Sequence, residues 1–165
     1  MQILIADIET DSLKPSTIHM VGLLDYHTDE FFDYHGEELV DGLLRMAEAD
    51  ILILYNGIGY DIPVIEKLTN GLIKFNRKRI IEVLNLSRKL VQLENHKLKT
   101  WGNMFENYKG DHKDFSKYSV EMSEYCAQDC RLTKQTFDFL NELGIDKGHG
   151  NVLQKFIEDQ LTNHN

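Results

Sequence analysis

Two carboxylates, Asp7 and Glu9, stand one residue apart at the end of the apolar segment ILIADIET, residues 3–10. Alternate residues of a strand share a face, so both anions can point the same way. Two anions side by side repel, and a hard divalent cation relieves that repulsion. A third acid, Asp61, closes a second apolar stretch, ILILYNGIGYD, with Asn56 and Tyr60 just before it. Strands adjacent in sequence often neighbour one another in a sheet, which would bring Asp61 towards Asp7. Tyr125 and Asp129 lie four apart in YCAQDCRLTKQTF and so share one face of a helix. Taken singly, each has a plain structural explanation. Asp7 and Glu9 can end a strand, Asp61 can cap a helix, and a tyrosine near an aspartate is ordinary on helices.

Several other chemistries are excluded. Gly57-Ile58-Gly59 starts like a dinucleotide fingerprint, but Ile62 stands at the third glycine position. The seven histidines, 19, 27, 35, 96, 112, 149 and 164, are scattered and form no zinc pattern. The two cysteines, Cys126 and Cys130, rule out a disulfide scaffold and read as reduced thiols packing within a helix.

The elements that must position these acids can be read from periodicity. Residues 2–7, 18–25, 30–34 and 51–55 predict strands, the last a continuous apolar run suited to a strand covered on both faces. A short strand is predicted over 80–84. Residues 37–49 predict a helix with Leu39, Leu43, Leu44, Met46 and Ala47 on one face. Further helices are expected from a cap at Asp61, after residue 84 through Leu90, over 97–106 and over 119–142. Three strands followed by alternating helices and strands predict an α/β domain with a mixed sheet flanked by helices.

The chain has 165 residues, enough for one well-cored domain. No stretch approaches the ~20 apolar residues of a membrane span, and the N-terminus lacks a signal-peptide pattern. The expectation is a cytoplasmic chain with no membrane partner. A net charge of −9 argues against coating DNA by bulk electrostatics, but the charge is uneven. Residues 1–66 hold 14 acidic and 2 basic residues, whereas residues 67–100 hold 9 basic and 2 acidic. Lys74, Arg77, Lys78, Arg79, Arg88, Lys89, Lys97 and Lys99 are therefore candidates for a phosphate-contacting groove or, more blandly, a solvated face.

Jointly, D-x-E, N-x3-Y-D and Y-x3-D resemble the three motifs of the DEDDy branch of the DnaQ-like 3′→5′ exonucleases. DIETDSL is similar to the first motif of the proofreading domains of family A DNA polymerases. YNGIGYDIPVI is similar to the second motif of bacteriophage polymerases, and LNLSRKL, LKTWG, Lys109-Gly110 and YCAQDCRLTKQTF follow in matching order. Glu82 stands where the phage proteins usually have aspartate, a position outside the four metal-binding acids.

The resemblance covers residues 3–143 and implies a ribonuclease H-like fold. It implies two Mg²⁺ ions per site, with Mn²⁺ able to substitute, held by Asp7, Glu9, Asp61 and Asp129, Asp7 being shared. Tyr125 would orient the attacking water. Thr10 and Leu13 would contact the terminal nucleotide, Leu13 wedging between the last two bases unless it simply packs in the core. Asn56 and Tyr60 would complete substrate binding.

The activity implied is release of 5′-mononucleotides from the 3′ end of single-stranded DNA, with proofreading in trans as one use. The alternatives are RNA trimming, or a non-catalytic subunit that binds a polymerase or nucleic acid. Since no polymerase domain follows within these residues, the expectation is a catalytic domain over 1–143 standing on its own. The helix carrying Tyr125 should end near Leu143, because Gly144 is a natural cap. The tail, 144–165, would carry a short amphipathic helix of Val152, Leu153, Phe156, Ile157 and Leu161. That helix would either pack back on the domain or dock a DNA polymerase or a second copy of the chain.

Overall fold

The computed structural model describes residues 1–163; His164 and Asn165, the end of the expected tail, lie outside the described residues. Five strands form one sheet: β1 (Ile3–Thr10), β2 (Ile18–Asp25), β3 (Phe31–His35), β4 (Ile51–Leu54) and β5 (Ile80–Glu82). Their order is β3-β2-β1-β4-β5. The first three run as an antiparallel meander, and β4 and β5 add parallel to β1. This is the mixed, helix-flanked sheet of a ribonuclease H-like α/β fold. The sequence ended β1 at residue 7; the strand runs on to Thr10, because β2 continues to pair with it, and so Glu9 lies within the sheet.

The two faces of the sheet carry separate cores. Leu4, Ala6 and Ile8 of β1 join Leu52 and Leu54 of β4 beneath α1 (Leu39–Glu48) and α2 (Asp61–Leu68). Ile3 and Ile5 join Ile51 and Ile53 beneath α3 (Val83–Leu90), α4 (Leu98–Met104) and α5 (Val120–Asp146). In α1 the buried stripe is Gly42, Leu43 and Met46; Leu44 turns outward instead of joining it. A Cβ at Gly42 would come within 2.4 Å of Tyr34, so the helix approaches the sheet on the Gly42 side, and Leu44, two positions on, points away from it.

The long helix α5 begins at Ser119, whose hydroxyl accepts from the Met122 amide at 3.1 Å. It passes through Gly144 and ends at Asp146, three residues beyond the expected stop. The left-handed glycine that breaks the chain is Gly148 at φ 80°, with the His149 amide donating back to the Gly144 carbonyl at 2.8 Å. The next helix, α6 (Val152–Asn163), lays Val152, Leu153, Phe156 and Ile157 against the core beneath α5, so its apolar face packs on its own chain. Among the described residues no helix is long and apolar enough to cross a membrane.

Candidate active site

The alternation of β1 decides where its acids point. Asp7 and Glu9 continue the series Ile3, Ile5 and so face α5. On α5, Met122, Cys126, Asp129, Cys130, Thr133 and Phe137 are all buried at helical spacing, so Asp129 is a carboxylate set within an apolar stripe. Gly22 on β2 lets that helix come down: a Cβ there would lie 2.6 Å from the Cys126 sulfur. The Cys126 thiol donates to the Asp7 carbonyl at 3.6 Å, joining α5 to β1. Both cysteines are free thiols that pack, as the sequence suggested.

Asp61 arrives from the third direction. Because β4 lies beside β1, the start of α2 sits at the end of β1, and Asp61 Oδ2 accepts from the Ile8 amide at 3.2 Å. Asp61 is the first helical residue and not the cap expected from the sequence; Tyr60 holds the cap position without a side-chain capping bond. The carboxylate is thus turned away from its own helix and towards β1. Glu82 carries the turn before it, accepting from the Asn56 amide at 2.8 Å and the Ile58 amide at 3.1 Å. Asn56 itself is left-handed at φ 57°, a conformation asparagine tolerates.

Three of the four acids, Asp7, Asp61 and Asp129, meet in one cleft of about 200 Å³, lined also by Asn56, Tyr60 and Lys109. Glu9 adjoins it: ligand atoms of Asp7, Glu9 and Cys126 all lie within 4.8 Å of one another. Burial pushes Asp7 up to about 7, helped by the charge of Asp129, and pushes Glu9 up to about 10, helped by Asp7. Burial, then Asp7, likewise raises Asp61. Asp129 is raised by burial although Lys109 pulls it down. Lys109 forms an ion pair with Asp129 and lies 4.6 Å from the centre of the Tyr125 ring. Its ammonium is held above its ordinary value, since the attraction of Asp129 outweighs burial.

These residues fit a hard divalent cation. The donors are carboxylate oxygens, the set Mg²⁺ prefers. Asp129 Oδ1 is buried with no hydrogen-bond partner, which a native structure rarely leaves unexplained. The Cys126 thiol is held well above its usual range, first by Cys130 and by burial, and so does not add a soft thiolate ligand. Tyr125 is half-buried beside the cleft, its phenol raised by burial and hence protonated at neutral pH.

A second hollow of about 280 Å³ opens on the other side of Glu9 and Tyr60, lined also by Thr10, Leu13 and Phe115. The Tyr60 hydroxyl is 2.7 Å from that of Thr10 and donates to the Ser12 carbonyl at 3.2 Å, tying the two chain segments together. Leu13 is 92% exposed at the rim, which removes core packing as the reason for it. Sequence reasoning assigned no role here to Phe115 or Lys109, both on the segment between α4 and α5. His19 Nε2 lies 2.7 Å from the Phe115 carbonyl, and Tyr118 stacks on His35 with centroids 3.6 Å apart. A Cβ at Gly110 would lie 3.2 Å from the Tyr125 ring, the close approach that seats this segment over the cleft. Of the basic cluster, Arg77 is spent in a two-pronged ion pair with Glu66.

Residues 4–120 match the sequence profile of the RNase_H superfamily. The chain is 24% identical to the DNA-directed DNA polymerase of Escherichia phage T7, over 83% of this chain and 26% of the polymerase. The same figures hold for the polymerase of Enterobacteria phage T3. The chain therefore spans about a quarter of the length of these relatives. In fold it is similar to a nuclease solved in its apo form, with a TM-score of 0.71 and 18% identity over 96% of this chain and 82% of the other. Brucella melitensis NrnC with bound Mg²⁺ superposes at a TM-score of 0.67 and 16% identity, over 94% and 78%. The family B DNA polymerase of Pyrobaculum calidifontis superposes at 0.65 and 12%, over 85% and 24%.

Proposed function

The chain belongs to the RNase_H superfamily, and on that premise we propose that it is a metal-dependent 3′→5′ exonuclease. Its substrate is the 3′ end of single-stranded DNA, and its products are 5′-mononucleotides. The observation that carries this reading is the convergence of Asp7, Asp61 and Asp129 on one cleft, with Glu9 beside Asp7 at its edge and Asp129 Oδ1 buried and unpartnered. The likeness to phage DNA polymerases, and to an NrnC bound to Mg²⁺, supports it.

The four carboxylates would hold two divalent ions, Mg²⁺ or Mn²⁺, which when bound lower the pKa of water and stabilise charge on the leaving oxygen. The chain's own groups do the rest. Tyr125, kept protonated by burial, donates a hydrogen bond to the attacking oxygen and aims it, since a phenol with a raised pKa is a poor base. Thr10, Leu13, Tyr60 and Phe115 enclose the terminal nucleoside, with apolar and aromatic surface against the base. Asn56, on its left-handed turn, lines the cleft and holds the phosphate backbone.

End-labelled single strands of DNA and RNA of equal sequence, incubated with Mg²⁺, test this directly. A ladder shortening from the 3′ end, stronger on DNA and absent with EDTA, is expected. A ladder on RNA alone makes the protein an exoribonuclease instead. No ladder on either leaves a nucleic-acid-binding subunit.

A further inference from the structure

The acidic cleft does not end at its carboxylates. It shares Tyr55, Asn56 and Leu98 with a hollow of about 560 Å³ that is also lined by Arg88 and Lys97. That hollow shares Arg88 with a third, of about 610 Å³, between the ends of α3 and α5, lined also by Lys89 and Lys147. The cleft also shares Tyr60 with the hollow that holds Leu13 and Phe115, which does not share a lining residue with the other two. Each of the four thus borders the next through a shared lining residue.

Charge changes sign along the series. In a chain with 27 acidic and 18 basic residues, no carboxylate lines either outer hollow; their charged side chains are Arg88, Lys97, Lys89 and Lys147. Among the described residues none of these four is in a salt bridge. Lys147 donates to the Leu90 carbonyl at 2.7 Å, a neutral partner that fixes its position and leaves its charge uncancelled. The same hollows carry apolar floor from Leu84, Leu90 and Leu143. Cations spaced along an apolar floor suit a single strand, whose phosphates meet the cations while its bases cover the floor.

We propose that this cationic run is the path of the substrate strand on the 5′ side of the bond that is cut. The inference rests on the exonuclease reading, because the hollow beyond Tyr60 takes the terminal nucleoside and the remaining strand must leave the cleft on the other side. It separates the basic residues that the sequence grouped together. Arg88, Lys89 and Lys97 line the run, whereas Lys74, Lys78 and Arg79 line none of these four hollows.

The test compares a dinucleotide, too short to reach the outer hollow, with a fluorescein-labelled 12-mer of single-stranded DNA. In the double variant Lys89→Gln, Lys147→Gln, 12-mer binding by anisotropy in EDTA should weaken about tenfold, and its salt slope should fall by ~0.7 per lost contact. The ratio of 12-mer to dinucleotide kcat/KM in Mg²⁺ should fall by a similar factor. Neither the slope nor the ratio should move in Lys78→Gln, Arg79→Gln. Wild-type 12-mer binding and slope in the first variant would overturn the path. So would an equal loss on dinucleotide and 12-mer, or a lowered melting temperature alone, which would reduce these cations to complements of helix C-termini. If the wild-type protein cuts neither substrate yet the first variant still loses 12-mer binding, the run binds a single strand while the exonuclease reading, and with it the placement of the run on the 5′ side of a cut, falls.

Discussion

The two faces of β1 divide its eight residues between them and do opposite things. On one face Leu4, Ala6 and Ile8 meet α1, α2 and β4 in an uninterrupted apolar core. On the other, Ile3 and Ile5 begin the same way, but the next two positions are Asp7 and Glu9, packed under a helix that contributes Asp129. The first face stabilises the fold and leaves no charge to be balanced. The second is anchored by apolar residues at one end of the strand and spends the other end on carboxylates whose pKa values burial raises, with Asp129 adding to the rise at Asp7 and Asp7 to that at Glu9. A site is thus made by continuing a core pattern with the wrong chemistry, at the end of the sheet where water and substrate can reach it.

Substitutions on the two faces should therefore separate activity from stability. Asp7→Ala is expected to bring cleavage down to the level of an EDTA-treated control while the protein still folds, because it removes a like charge from a crowded site. It should also abolish the rise in melting temperature that Mg²⁺ gives the wild type by binding the folded state. Leu4→Ala, on the other face, is expected to destabilise by ~2–5 kcal/mol through the cavity it leaves, with hydrolysis per folded molecule preserved. Both readouts come from one pair of experiments, thermal melts with and without Mg²⁺ and cleavage of a labelled oligonucleotide. An active, folded Asp7→Ala protein would sink the assignment of the site.

Tyr125→Phe asks a narrower question of the second face. It keeps the ring and removes one hydroxyl, so the Mg²⁺-dependent rise in melting temperature should persist. The rate at saturating metal should drop by ~10- to 1000-fold, the range for losing one positioned hydrogen bond in a transition state. An unchanged rate would return Tyr125 to a packing role beside Lys109.

Much of this arrangement was legible in the sequence, for reasons that differ between elements. The strand at 51–55 is readable because burial on both faces leaves a continuous apolar run. The site acids are readable because each sits where apolar periodicity predicts a core residue or an element end. Asp129, between Cys126 and Cys130 on the buried stripe of α5, is the plainest case. The segment between α4 and α5 was not legible. Phe115 is held through His19, 96 residues away, and Tyr118 through Asp33, 85 away, so neither has a local pattern that reports its place. The end of α5 was misread for a related reason. Gly144 is buried inside α5 with helical backbone, where a Cβ would make only ordinary contact with Leu90 and Gly150 at 3.5–3.6 Å, so it does not act as a cap, and the turn falls to Gly148.

The smallest expected effect is also the most direct measure of the difference between the two faces, and it is read by pH. Asp7 is raised to about 7 from an ordinary 3.8, and Glu9 to about 10 from 4.5, so the folded protein binds protons that the unfolded chain has released. Stability from such groups is fully present below their unfolded pKa and is lost as pH rises through the folded value. In EDTA the melting temperature should therefore fall between pH 6 and pH 8, on the order of 2–4 °C per kcal/mol for a domain of this size. The carboxylates held low, among them Asp25 and Asp33, act only at acid pH and do not contribute in this window. Asp7→Asn should flatten the slope, and Leu4→Ala should lower the whole curve and leave the slope alone. A metal that replaces those protons should stabilise the protein more at pH 8 than at pH 6. A melting temperature that rises from pH 6 to pH 8 in EDTA would mean that the acids of the second face are relieved by something other than protons, with the ammonium of Lys109 the first residue to substitute.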